Sequence, residues 1–189
     1  RTGDNFVRWM DDINFGVPNI EDAHRILGEV NDVLKSRGLA LNLGKTEVLT
    51  SKEVQKHFLV RENKALSKRQ IQAGKLKSVA AKAKLATKIF SEMTNHLLNC
   101  DARSKDKLTK RYLTVLSKLD SPLAVNTAVE LFLLSPALRE PSVRYIAGLP
   151  FSNATAKAFS KLLSVAPRYD DMARLDVIKG VVAHSVPFT

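Results

Sequence analysis

Apolar and polar positions alternate at the start of the chain and take helical spacing from Asn19 to Leu34. Phe6-Val7-Arg8-Trp9-Met10 and Ile13-Asn14-Phe15-Gly16-Val17 are β-prone runs with only Asp11-Asp12 between them. That arrangement predicts an antiparallel hairpin with an acidic tip. Pro18-Asn19 ends the second run, and Asn19 is placed to cap a helix whose first turn contains Asp22. Ala23, Ile26, Leu27, Val30 and Leu34 make one apolar stripe, and Gly38 stands where a left-handed C-cap residue is wanted. Leu39-Ala40-Leu41 and Glu47-Val48-Leu49 are expected to be short strands around Asn42-Leu43-Gly44-Lys45. Hairpin, helix and strands together make half of an α+β layer, an antiparallel sheet with a helix on one face.

Strand signals stop near Lys52. Residues 64–99 are rich in Ala, Lys, Leu and Gln and lack Pro, which predicts one or two helices. Residues 104–119 form another helical stretch, and Asp120-Ser121-Pro122 is a start signal for a helix with Ala124, Ala128, Val129 and Phe132 on one face. Pro136 and Glu140-Pro141 are read as punctuation before the run Val143 to Gly148. Ser152-Asn153 opens a helix reaching Val165, and Asp170 or Asp171 caps a last one over Met172 to Ala183. Amphipathic helices parted by Pro-containing turns suggest an all-α domain, stacked as in a helical solenoid. The pattern divides the chain into residues 1–51, 52–110 and 111–189.

Composition narrows the class. At 189 residues and 44% hydrophobic, the chain can bury a core. No apolar run approaches the roughly 18 residues of a membrane span. Cys100 is the single cysteine, which is compatible with a reducing compartment such as the cytoplasm. The opening residues run straight into a strand, so the chain is expected to be part of something longer. The net charge of +11 is uneven: −2 over residues 1–51, +10 over 52–110 and +3 over 111–189. An excess of this kind in one stretch is what a polyanion-binding face presents, and a solvated helix surface presents it too.

Two adjacent carboxylates at a hairpin tip repel each other, and divalent metal ions relieve that repulsion. Adjacent aspartates also serve in turns and caps, as Asp170-Asp171 does ahead of a helix. Both readings of Asp11-Asp12 stand on the residues alone. His24, His57, His96 and His184 are scattered, with no ligand spacing to Cys100, and no Gly-rich phosphate loop is present.

The run Phe6-Val7-Arg8-Trp9-Met10-Asp11-Asp12-Ile13 resembles the aromatic-x-Asp-Asp motif on the palm hairpin of reverse transcriptases. The segment Leu34-Lys35-Ser36-Arg37-Gly38-Leu39, followed by Leu41-Asn42-Leu43-Gly44-Lys45-Thr46-Glu47-Val48-Leu49, resembles the family's next motif in order and distance. The resemblance covers roughly residues 4–50. It implies the end of a palm over 1–51, a thumb-like or connecting region over 52–110, and a helical domain over 111–189. The last is loosely similar to the HEAT-like extensions of bacterial abortive-infection and other defence enzymes of this family.

By that resemblance Asp11 and Asp12 would bind two Mg²⁺ ions for nucleotidyl transfer, and Lys45 would approach the incoming deoxynucleoside triphosphate. Trp9 would replace the usual Tyr or Phe, keeping the ring without the hydroxyl, and Met10 would lie near the primer terminus. Lys64, Lys68, Arg69, Lys75, Lys77, Lys82, Lys84 and Lys88 would follow the backbone of the nucleic acid. The partners implied are an RNA template and a DNA primer or product, with no membrane, and the helical tail offers a face for homo-oligomerisation. The family also needs an aspartate on an earlier strand, and the few residues ahead of this hairpin have no strand to carry it. The fragment is therefore expected to be inactive alone. Three functions follow: templated synthesis, untemplated DNA synthesis of the defence type, or a helical nucleic-acid-binding or assembly module with an inactive palm remnant.

Overall fold

The computed structural model describes residues 6–9, 12–100 and 102–184. The chain is mostly helical and divides into two compact units, Arg1–Val54 and Gln55–Thr189. No helix among the described residues is long and apolar enough to cross a membrane.

In the first unit, β1 (Phe6–Trp9) and β2 (Asp12–Phe15) pair antiparallel from Phe6↔Phe15 to Trp9↔Asp12. The acidic tip expected at Asp11-Asp12 lies in part outside the described residues. Asp12 is the first residue of β2 and pairs with Trp9, while Met10 and Asp11 are outside the described residues.

Helix α1 (Ile20–Ser36) begins as its sequence implies. The Asn19 side chain accepts from the Asp22 N–H at 2.8 Å, and Arg25 bridges Asp22 and Glu29 along the exposed face. The helix ends on Gly38 at φ +70°, with the Gly38 N–H bonded to the Lys35 carbonyl and the Leu39 N–H to the Leu34 carbonyl. That left-handed closure satisfies two carbonyls the helix would otherwise leave open. Of the predicted stripe, Ala23 and Ile26 are buried, while Leu27, Val30 and Leu34 are half-buried.

The strands expected at Leu39-Ala40-Leu41 and Glu47-Val48-Leu49 are absent; among the described residues β1 and β2 are the only pair. Asn42 closes a 3-10 turn over Leu43–Lys45, through the Lys45 N–H at 3.0 Å and the Thr46 hydroxyl at 2.8 Å to its carbonyl. A three-residue apolar run becomes a strand only with a neighbour to share its ladder, and these two have none.

Helix α2 (Ser51–His57) has no counterpart in the sequence expectation and crosses the division between units. Thr50 and Glu53 cap it reciprocally: the Thr50 N–H and hydroxyl both donate to Glu53, whose N–H returns to Thr50 Oγ1. These bonds, the backbone one first, hold the Glu53 carboxyl below its usual range.

The second unit contains α3 (Val60–Lys75), α4 (Val79–Asn99), α5 (Ala102–Lys118), α6 (Val125–Leu134), α7 (Arg139–Ala147), α8 (Asn153–Val165) and α9 (Asp171–Ala183). Helix α5 packs on α3, α4 and α7, and α7 also packs on α6 and α9. One continuous core runs from Leu66 through Ile89, Met93, Leu108, Leu116, Phe132, Tyr145, Phe159 and Leu162 to Val177. The boundary expected after Lys110 falls inside α5, and core residues lie on both sides of it. Pro141 does not punctuate either. It lies in the first turn of α7, where a helix has no use for the missing N–H.

Candidate functional site

The hairpin residues and Lys45 belong to the first unit. The backbones of Trp9 and Asp12 form the last rung of the hairpin, while Met10 and Asp11 fall outside the described residues. Adjacent aspartates supply the hard oxygen donors that Mg²⁺ takes, and two carboxylates leave most of an octahedral shell to water and phosphate oxygens. Among the described residues no three His, Cys, Asp or Glu side chains cluster to hold a metal ion. Of the other acids in this unit, Asp22 and Glu29 are tied to Arg25, and Glu53 to Thr50. Lys45 ends the 3-10 turn, is exposed, and makes no ion pair among the described residues.

The second unit holds the cations. Gln55–Thr189 carries 23 Lys and Arg against 10 Asp and Glu, a net of +13, whereas the first unit is at −2. On α3, Lys64, Lys68 and Lys75 recur at i, i+4 and i+11 and are all exposed; the buried Leu66 and Ala73 lie on the opposite side of the helix. On α4, Lys84 and Lys88 are exposed one turn apart, away from the buried Leu85, Ala86, Ile89 and Met93. Lys77 is exposed in the link between these helices. Six of the eight predicted backbone-binding residues therefore present their ammonium groups to solvent.

The other two are engaged within the fold. Arg69 Nη2 donates to Glu92 Oε1 at 2.5 Å, joining α3 to α4 in a part-buried pair. Lys82 Nζ donates to Asp120 Oδ2 at 2.9 Å, tying the start of α4 to the turn after α5. A cation already matched by a carboxylate has little charge left for phosphate. Arg69 and Lys82 thus differ from the other six residues of the predicted phosphate-binding set in that each faces an acid brought to it by the fold.

Exposed lysines also occur on α5, at residues the sequence reading left out. Lys107 and Lys118 are exposed on α5 with Thr114 between them at helical spacing. Their signal was present in the Lys-rich stretch that continues past Asn99. From α3 to the end of α5 there are 15 Lys and Arg against 4 Asp and Glu, and Glu92 among those acids is spent on Arg69. Exposed lysines at this density attract a polyanion without reading its sequence. Aromatic side chains for stacking are sparse: Phe58 is exposed and Phe90 is packed against the core.

A shallow groove between α5 and α7, of about 190 Å³, is lined by Thr114, Ser117, Lys118, Pro141, Arg144 and Tyr145. Arg144 is paired with Glu140. Lys118 and Arg144 stand in or near the last turns of their helices, where cations complement the helix dipole. Structural roles account for this groove. No protein-family model, curated protein or solved structure matches the chain.

Proposed function

We propose that the chain is the downstream part of the palm of an RNA-directed DNA polymerase, joined to a helical-repeat extension. The observation that carries the reading is the β1–β2 hairpin. Its last rung, Trp9 with Asp12, brackets Met10 and Asp11, and α1 and the Lys45 turn follow in the order of the family's motifs. Asp11 and Asp12 are the residues that would hold Mg²⁺, with further oxygens from elsewhere. When bound, two such ions activate a 3′-hydroxyl and stabilise departing pyrophosphate. Lys45 is long enough and exposed enough to donate to the phosphates of a deoxynucleoside triphosphate. Trp9 and Met10 border the primer terminus in this reading, and the exposed lysines of α3 and α4 hold the duplex backbone. The setting is the cytoplasm of a bacterium, and the role that of a defence or retroelement enzyme.

The second reading is a nucleic-acid-binding helical module carrying an inactive palm remnant. It is favoured by the absence of any further strand beside β1 and β2 among the described residues, while the lysine surface is intact. Incorporation of labelled nucleotide by the intact polypeptide with Mg²⁺, with and without a primed RNA template, separates the two. Template-dependent product lost in an Asp11→Ala, Asp12→Ala variant establishes the reverse transcriptase; product without template establishes untemplated synthesis. A folded protein that binds nucleic acid and incorporates nothing is the binding module.

A further inference from the structure

Helix α9 is apolar on both sides. Its inner face buries Ala173, Val177, Gly180 and Val181, with α7 and α8 packed against the helix. On the outer side Met172, Leu175, Ile178 and Val182 are 62%, 42%, 54% and 69% exposed. Leu175, Ile178 and Val182 recur at i, i+3 and i+7, the spacing of a seam that meets a facing helix, and Met172 lengthens it by one turn. A helix with one face on the core ordinarily turns polar residues outward, as α3 does with Lys64, Lys68 and Lys75. Helix α9 breaks that rule at Leu175, Ile178 and Val182, with Asp171 and Lys179 the charged residues among them.

The size of the stripe says what it suits. Together the four side chains expose roughly 300–400 Å² of apolar surface, a patch of the size that marks contact sites on soluble proteins. Two such stripes, facing each other across a two-fold axis, would cover roughly 700 Å² of apolar area. A standard interface buries about 1,600 Å² in total with somewhat over half of it apolar, so the paired stripes supply most of the apolar share. Arg174 is exposed at the edge of the stripe, and Lys179, one turn past Leu175, stands within it between Leu175 and Met172 and leads its charge out to solvent along an apolar stem. One patch meeting its own copy is also the commonest form of closed assembly.

We propose that the outer face of α9 is a self-association surface whose occupant is α9 of a second copy of this chain. The proposal stands apart from the polymerase reading. Two copies at a net charge of +11 repel each other, so the contact strengthens as salt rises. Binding of a polyanion to the lysine surface changes with salt in the opposite direction.

Sedimentation equilibrium of the intact chain across micromolar concentrations tests it. The expected result is a reversible dimer whose Kd rises at least tenfold in Leu175→Glu and in Ile178→Glu, with unchanged helical circular dichroism. A second readout perturbs nothing: in a Cys100→Ser background, Ile178→Cys is expected to cross-link to dimer under mild oxidation, and Lys88→Cys on α4 is not. A monomer at every concentration overturns the proposal, as does a dimer indifferent to both glutamates. A monomeric Ile178→Cys variant whose new thiol resists a thiol reagent overturns it too, and assigns the stripe to another segment of the polypeptide.

Discussion

Tyr145 of α7 and Ser121, which precedes α6, are joined by a buried hydrogen bond of 2.5 Å from the phenol to the Ser121 carbonyl. The same phenol oxygen accepts from the Ala124 N–H at 3.2 Å. One side chain thus serves two backbone groups in the Pro122 turn that no helix satisfies. It holds the start of α6 against α7.

Replacing Tyr145 with Phe leaves both backbone groups buried without that partner, and is expected to cost about 2 kcal/mol in urea denaturation. Burial pushes the Tyr145 phenol up to about 12, against the pull of the Ala124 N–H. The unfolded chain releases this proton near pH 10 and the folded chain does not. The phenol's contribution is therefore complete below pH 10 and lost as pH rises through about 12. The stability gap between the wild type and Tyr145→Phe is expected to narrow over that window; a gap constant from pH 8 to 12 would refute the assignment.

Gly180 is required by close approach. A Cβ there would overlap Val143 Cγ1 of α7 and press on Phe159 Cε1 at 3.1 Å. Gly180→Ala is expected to destabilise the second unit by about 1 kcal/mol, overpacking outweighing the gain in helix propensity. Gly74 on α3 has nothing within 4 Å of its added Cβ, so Gly74→Ala is expected to stabilise by about 0.5 kcal/mol. Thermal melts of the two variants should move in opposite directions.

What was legible in the sequence depended on whether the deciding interaction is local. The Asn19 cap, the Gly38 closure and the Ser152 capping box with Thr155 each involve residues a few positions apart, and each helix end fell where those residues implied. The cap at Thr50 and Glu53 is as local, but it follows directly on Glu47-Val48-Leu49, a run read as strand, and went unrecognised. The strands expected beside Leu41 and Val48 failed because pairing is decided by a partner elsewhere in the chain. Arg69 and Lys82 looked like their neighbours in composition. Their acids lie 23 and 38 residues away, so only the fold reveals that they are spoken for.

Asp170 caps α9 by accepting from the Ala173 N–H at 2.8 Å, and it receives Arg139 Nη1 from α7 at 2.5 Å. Arg139 also lies over the Tyr169 ring, 4.5 Å from its centroid. The Ala173 N–H first, and then Arg139, hold the Asp170 carboxyl below its usual range, partly offset by desolvation. A depressed carboxylate stabilises above its unfolded pKa and loses that contribution as pH falls through the folded one. Asp170→Ala is expected to lower the melting temperature by a few degrees at pH 7 and by much less at pH 2. Equal losses at both pH values would mean that charge plays no part.

The lysine surface makes the sharpest prediction, because its members differ in what the fold lets them do. Lys64, Lys68 and Lys75 project from α3 with no ion pair among the described residues, so changing all three to Ala should leave the melting temperature within a degree or two of wild type. If each meets a phosphate, the slope of log K against log salt for duplex binding falls by about 0.9 per contact, or roughly 2–3 for the triple variant. The loss should be the same for unrelated duplex sequences, since phosphate contacts carry no sequence information. Arg69→Ala should behave in the opposite way. It breaks a part-buried pair with Glu92 and is expected to cost about 1 kcal/mol of stability, while leaving the salt slope unchanged. Filter binding over a salt series, beside thermal melts of the same preparations, reads both quantities. If Arg69→Ala instead lowers the slope and the α3 triple variant does not, the nucleic acid lies on the other side of the helix and the lysine stripe is only a solvated surface.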